Sequence, residues 1–150
     1  MLTQLRRHVA ARRARRGSFL VAAGAPLAAG ADVEAFLSVA RQSFVQLQAA
    51  WDAADLPALA SLTTDTLLED LRLQLEQRGP APNRTEVLAL DARLLAMEEL
   101  REAFVASVEF SGLIRERLDT GATPFRELWL LANVKAAGRG WQLARVQSLS

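Results

Sequence analysis

Cysteine and tyrosine are absent from this chain, and histidine occurs once, as His8. The first absence excludes disulfides, thiolate nucleophiles and Cys-ligated zinc, and leaves the redox compartment open. The single histidine stands outside the body of the chain, so the usual near-neutral proton carrier is missing there. Catalysis would fall to Asp, Glu, Lys, Arg, Ser or Thr. Long apolar runs are missing too. The longest near the N-terminus, residues 18–31, is broken by Gly24, Pro26 and Gly30, and a bilayer span needs about 20 apolar residues. Acidic residues do not occur before Asp32.

What is present before Asp32 is cationic. Arg6, Arg7, Arg12, Arg13, Arg15 and Arg16 supply a charge of +6, whereas the remaining twelve basic residues face all 17 acidic ones, so the rest of the chain is net −5. Leu2, Leu5 and Val9 share a helical face, but Arg12, Arg13 and Arg16 rotate onto the same side, which describes a polybasic segment rather than an insertion helix. Three readings follow. Arginines near anionic lipid gain about 1 kcal/mol each. The run, with "AAGA" at 28–31, also has the shape of a solubilising tail or a secretory or twin-arginine signal. The same charges would neutralise RNA or DNA phosphates, although no aromatic residue is interleaved for base stacking. Residues 1–31 therefore read as a basic tail and Gly/Ala/Pro linker, and 32–150 as one domain. At 150 residues, 51% hydrophobic, such a chain buries about two thirds of its unfolded surface.

From Asp32, a plausible N-cap, Phe36, Leu37, Ala40, Phe44, Leu47, Trp51 and Ala54 recur at threes and fours and predict a helix of about five turns. "DLPALASL" predicts a second helix, and "TTDTLLEDLRLQLEQRGP" a third, closed by Gly79 and Pro80. After "PAPNRT" the period becomes two, through Val87–Ala96 and Phe104–Ser111, followed by "TPFRELWLLANVK" and "GWQLARVQSL". Helices first and a four-strand antiparallel meander afterwards predict an α+β fold with the helices on one face of a curved sheet.

Placing a turn at Asp119 to Thr123 sets Glu127 opposite Arg115 and Trp129 opposite Leu113. The even positions then form an apolar inner face, including Leu90, Leu94, Val108, Phe110, Leu128, Leu130 and Val146, on which nothing carries a proton; Asp91 would enter only if the register slipped. The odd positions mix Phe125, Trp129, Leu131, Trp141 and Leu143 with Arg115, Glu127 and Arg145. Aromatic and arginine side chains are enriched in interface centres, which makes this face a candidate partner surface. The alternative is a sheet face covered by the domain's own chain, with Glu127 and Arg115 as a cross-strand ion pair. "NRT" at 83–85 matches the glycosylation pattern at the level of chance. "AGRG" at 137–140 reads as a hairpin turn rather than a phosphate loop. Glu98, Glu99 and Glu102 read as a solvated turn, and no carboxylate pair stands out as catalytic.

"FLSVARQSFVQLQAAWDAADLPALASLTTDTLLEDLRLQLEQRG", "NRTEVLALDARLL", "ASVEFSGLIRE", "PFRELW" and "GWQLARVQ" occur in this order between Asp32 and Gln147. In sequence and spacing they resemble the Tim44-like domain family of import scaffolds, a mitochondrial ribosomal relative and bacterial proteins. The resemblance implies an NTF2-like cone. It further implies a peripheral inner-membrane domain, on the cytoplasmic side or exported, that binds anionic phospholipid such as cardiolipin and tethers translocation or chaperone machinery. It brings no catalytic residue, cofactor or metal. Two departures are visible: only the short basic segment precedes the domain, and Arg145 replaces a small residue of the family's last strand. The expected function is a non-enzymatic membrane-surface scaffold, with a ribosome- or RNA-contacting adaptor as the alternative and a small-molecule pocket as a third possibility.

Overall fold

A computed structural model describes residues 30–79, 84–116 and 121–149. The arginine segment, and with it Arg6, Arg7, Arg12, Arg13, Arg15 and Arg16, lies outside these residues.

The period of three and four produces the first helix, α1 (Gly30–Asp52), which begins two residues before Asp32, so that Asp32 sits in its first turn rather than at its cap. Its apolar stripe, Phe36, Leu37, Ala40, Phe44, Leu47 and Trp51, is buried throughout. Two shorter helices follow, α2 (Leu56–Leu62) and α3 (Asp65–Arg78). Asp55 caps α2 by accepting from the Ala58 N–H, and Thr64 does the same for α3 toward Leu67. Gly79, at φ 79°, ends α3 and donates its N–H to the Leu75 carbonyl, a left-handed cap that glycine adopts at no steric cost.

Strands β1 (Glu86–Glu99), β2 (Ala103–Arg115), β3 (Thr123–Val134) and β4 (Gln142–Ser148) form one antiparallel sheet in sequential order. The α+β expectation holds: helices lie on one face of a four-strand sheet, and α1 packs its aromatic stripe against it. Phe44 lies at the centre, with ring centroids 4.9 Å from Phe110, 5.4 Å from Phe125 and 5.0 Å from Trp129.

The expected register between β2 and β3 is wrong. Glu127 pairs with Phe110 rather than Arg115, and Trp129 with Val108 rather than Leu113. Ile114 already pairs with Thr123, so the connection is longer than the assumed turn. The displacement is an odd number of residues, which exchanges the faces of β3. Phe125, Glu127, Trp129 and Leu131 therefore point into the core, and Leu128, Leu130 and Ala132 are only half-buried. On β4, a register shift beside Leu130 and Leu131 skips Ala144 and turns both Leu143 and Val146 inward. A further shift at Val87/Ala89 lies beside the Leu90–Gly112 pair, where a Cβ added to Gly112 would stand 1.9 Å from the Ala89 carbonyl oxygen. Only glycine admits that approach.

Candidate functional site

The odd-position partner surface is corrected by this packing. Phe125, Trp129, Leu131 and Leu143 are buried core, and Glu127 is 0% exposed. Trp141 is half-buried with its ring edge-on to Phe36, centroids 5.0 Å apart. Arg115 reaches Glu86 at 3.7 Å rather than Glu127. Arg145, half-buried, pairs in register with Leu130. No continuous exposed face joins these eight residues.

The same packing overturns the proton-inert interior. Glu127 places a carboxyl group in the aromatic core, where its Oε1 accepts from the Trp129 indole N–H at 3.1 Å. Burying such a group is costly without hydrogen bonds, and the indole supplies one. Because the carboxyl is sealed from solvent between β2 and β4, its visible work is to orient Trp129. Sequence periodicity could not place it, since it follows from the length of the β2–β3 connection.

The geometry brings together a different set of side chains. Where the C-terminal half of α1 passes the start of β1, Val45, Gln48, Ala49, Asp52, Thr85 and Val87–Leu90 line a cleft of about 480 Å³. Val45 and Leu88 are exposed apolar walls, at 49% and 44%. Gln48 is buried, and neither of its amide atoms has a hydrogen-bond partner. Asp52 accepts the Thr85 backbone N–H at 2.7 Å and the Thr85 hydroxyl at 3.2 Å, tying the end of α1 to the entry of β1. Burial raises the Asp52 carboxyl above its ordinary value, with the Thr85 hydrogen bonds pulling the other way.

Arg78 locks the same corner. Its guanidinium lies 5.6 Å from the Trp51 ring centroid and donates to the Trp51 carbonyl at 2.7 Å and the Asp52 carbonyl at 3.5 Å. A cation on the last carbonyls of α1 complements the negative end of its dipole. The cleft thus has a rigid frame, apolar walls and a buried amide. Asp52 is the sole acid among its described lining residues, and both of its oxygens are already engaged. An apolar cleft with one buried amide is the kind of surface that takes up a ligand or a partner's side chain. Sequence reading missed it. "WDAAD" and "NRTE" contain Asp52 and Thr85, but no spacing links positions more than thirty residues apart.

Among the described residues no group of His, Asp or Glu is placed to hold a metal. No described helix is long and apolar enough to cross a membrane.

The model of the Tim44-like domain matches residues 26–148. The chain belongs to the Tim44-like domain family. No curated protein matches it. Among solved structures the Tim44-like chain is similar to a nuclear transport factor 2 (NTF2-like) superfamily protein from Salmonella enterica, at 14% identity and a TM-score of 0.44, covering 80% of this chain and 92% of that one. It is also similar to a ketosteroid isomerase-like protein from Erwinia carotovora atroseptica, at 18% identity and a TM-score of 0.40, covering 76% and 96% respectively. A conserved protein from Planctomyces limnophilus is similar at 14% identity and a TM-score of 0.42, covering 77% and 99%.

Proposed function

We propose that this Tim44-like domain is a non-enzymatic scaffold peripheral to the inner membrane, held on anionic phospholipid by Arg6, Arg7, Arg12, Arg13, Arg15 and Arg16 and carrying a protein partner on its folded body. The observation that carries the reading is the charge division: six arginines precede the first acid, ahead of a body that is net −5. Six cations at about 1 kcal/mol each are enough to hold a soluble domain at an acidic bilayer, and the attraction weakens as salt screens it. The acidic body is repelled by the same surface, which orients the domain away from the lipid. The α1/β1 cleft, with exposed Val45 and Leu88 flanking the buried Gln48 amide, supports partner contact better than the sheet positions expected from sequence.

Co-sedimentation of the full chain with vesicles tests the lipid half. Anionic vesicles should pellet the protein at low salt, neutral vesicles should not, and replacement of the six arginines by glutamine should abolish the difference. Equal pelleting with both vesicle types refutes it. A steep salt dependence of RNA retention on filters, without lipid preference, would transfer the arginines to the nucleic-acid reading.

A further inference from the structure

The two edges of the sheet are treated differently. Along β4, Thr63 forms a parallel bridge with Leu143, and the Thr64 N–H donates to the Leu143 carbonyl at 2.9 Å, so the α2–α3 junction covers that edge. Along β1, no described strand pairs with the outer side. An open edge presents unpaired N–H and C=O groups and invites another strand.

The residues on this edge say which strand. Between the register shifts at Val87/Ala89 and Leu94/Ala96 lies one regular stretch, Ala89–Leu94, and Leu95 is the extra residue of the second shift. Its odd positions are all exposed, and Leu90, Ala92 and Leu94 are half-buried. Phe110 and Val108, the β2 partners of Ala92 and Leu94, are fully buried. Leu90 and Leu94 therefore keep apolar surface that a further strand would cover.

The stretch is self-complementary about Ala92. If a second copy runs antiparallel across a two-fold axis at Ala92, Asp91 faces the second copy's Arg93, Arg93 faces its Asp91, and Leu90 and Leu94 face each other twice, all within the regular stretch. Residues directly opposite in an antiparallel pair lie on the same face, so the charges meet on the outer side and the leucines on the core side. Moving the axis to Asp91 would oppose two aspartates, and moving it to Arg93 would oppose two arginines. Like charges directly opposite destabilise a strand pair, so the charge pattern favours the Ala92 axis over both of its neighbours, and among the axes at residues 90–94 it alone pairs Asp91 with Arg93. Asp91 has no ion pair among the described residues, whereas Arg93, 69% exposed at its side chain, touches Glu109 at 3.3 Å and has room for another acid.

We propose that two copies of this chain associate through the β1 edge, pairing Leu90–Leu94 antiparallel about Ala92 into a continuous eight-strand sheet. The interface is isologous and closes at two copies, since each β1 has one free edge. It goes beyond the scaffold reading and stands independently of lipid binding.

Sedimentation equilibrium of the full chain in vesicle-free buffer reads this directly. A monomer–dimer equilibrium is expected, and Asp91→Arg, which sets arginine against Arg93 twice across the axis without touching Glu109, should raise the dissociation constant roughly tenfold or more. A cross-link provides the second reading. In the proposed register the Ala92 Cα atoms are about 4.5–5.5 Å apart, within disulfide range, and the native chain has no cysteine to compete. Ala92→Cys should form a covalent dimer under mild oxidation, whereas Leu73→Cys, an exposed position on α3, should not. A chain that stays monomeric at high concentration overturns the proposal, as does a dimer that Asp91→Arg leaves unaffected and that Ala92→Cys fails to cross-link. Lipid pelleting that persists in the monomeric variant separates this outcome from the fate of the arginine segment.

Discussion

Replacing Trp129 with alanine distinguishes core from surface most sharply. Trp129 is 1% exposed, stacks on Phe44 with centroids 5.0 Å apart, meets Phe110 edge-on at 4.9 Å and donates to Glu127. Truncating a buried tryptophan costs about 3–5 kcal/mol. Removing the indole donor from a sealed carboxyl adds about 1–3 kcal/mol. The expected loss, about 4–8 kcal/mol, is comparable with the whole stability of a domain, about 5–15 kcal/mol. At about 2–4 °C per kcal/mol for a chain of this size, the melting temperature should fall by about 8–32 °C. Thermal unfolding followed by circular dichroism measures it. Trp129→Phe, which keeps one aromatic ring but removes the N–H donor and the second ring, should lose less than Trp129→Ala and at least the contribution of the lost hydrogen bond, about 1–3 kcal/mol. A Trp129→Ala protein as stable as the parent would refute the register and return Trp129 to the surface.

Three further outcomes follow from local geometry. Gly112→Ala should destabilise by several kcal/mol or prevent folding, because its Cβ would overlap the Ala89 carbonyl; an unchanged urea midpoint would contradict the close approach. Arg78→Met should cost about 1–3 kcal/mol through the lost hydrogen bonds to the end of α1, with amide exchange near Trp51 and Asp52 accelerating first. The folded state binds the Asp52 proton more tightly than the unfolded chain does, so this carboxyl favours folding in acid, and that contribution is lost as pH rises from its ordinary 3.8 through the raised folded value. The melting temperature of Asp52→Asn relative to the parent should accordingly rise with pH above about 4, by a small amount because the group is half-exposed and screened; a difference independent of pH would count against the buried carboxyl.

The helices were legible because each apolar stripe is local: Phe36 to Trp51 reports its own face, and Asp55, Thr64 and Gly79 mark ends through short-range capping. The strands were legible as strands for the same reason. Their faces were not. A period of two carries a side assignment from one strand to the next only through the parity of the connection, and one odd miscount turned Phe125, Glu127, Trp129 and Leu131 inside out. The bulges at Val87/Ala89, Leu94/Ala96 and Leu130/Leu131 each reset that parity again. The α1/β1 cleft depends on contacts such as Asp52 to Thr85, which no window of sequence contains. What the sequence does mark plainly is the arginine segment, whose meaning rests on charge and needs no register.

The chain enters the domain through α1, whose stripe from Phe36 to Trp51 is the hydrophobic centre and whose far end is pinned by Arg78 and Thr85. A pull applied before Gly30 therefore enters the fold at the first turn of α1, and what resists it is the packing of the Phe36–Trp51 stripe. The load that the proposed surface tether could bear is then set by the force that draws α1 out of its sheet.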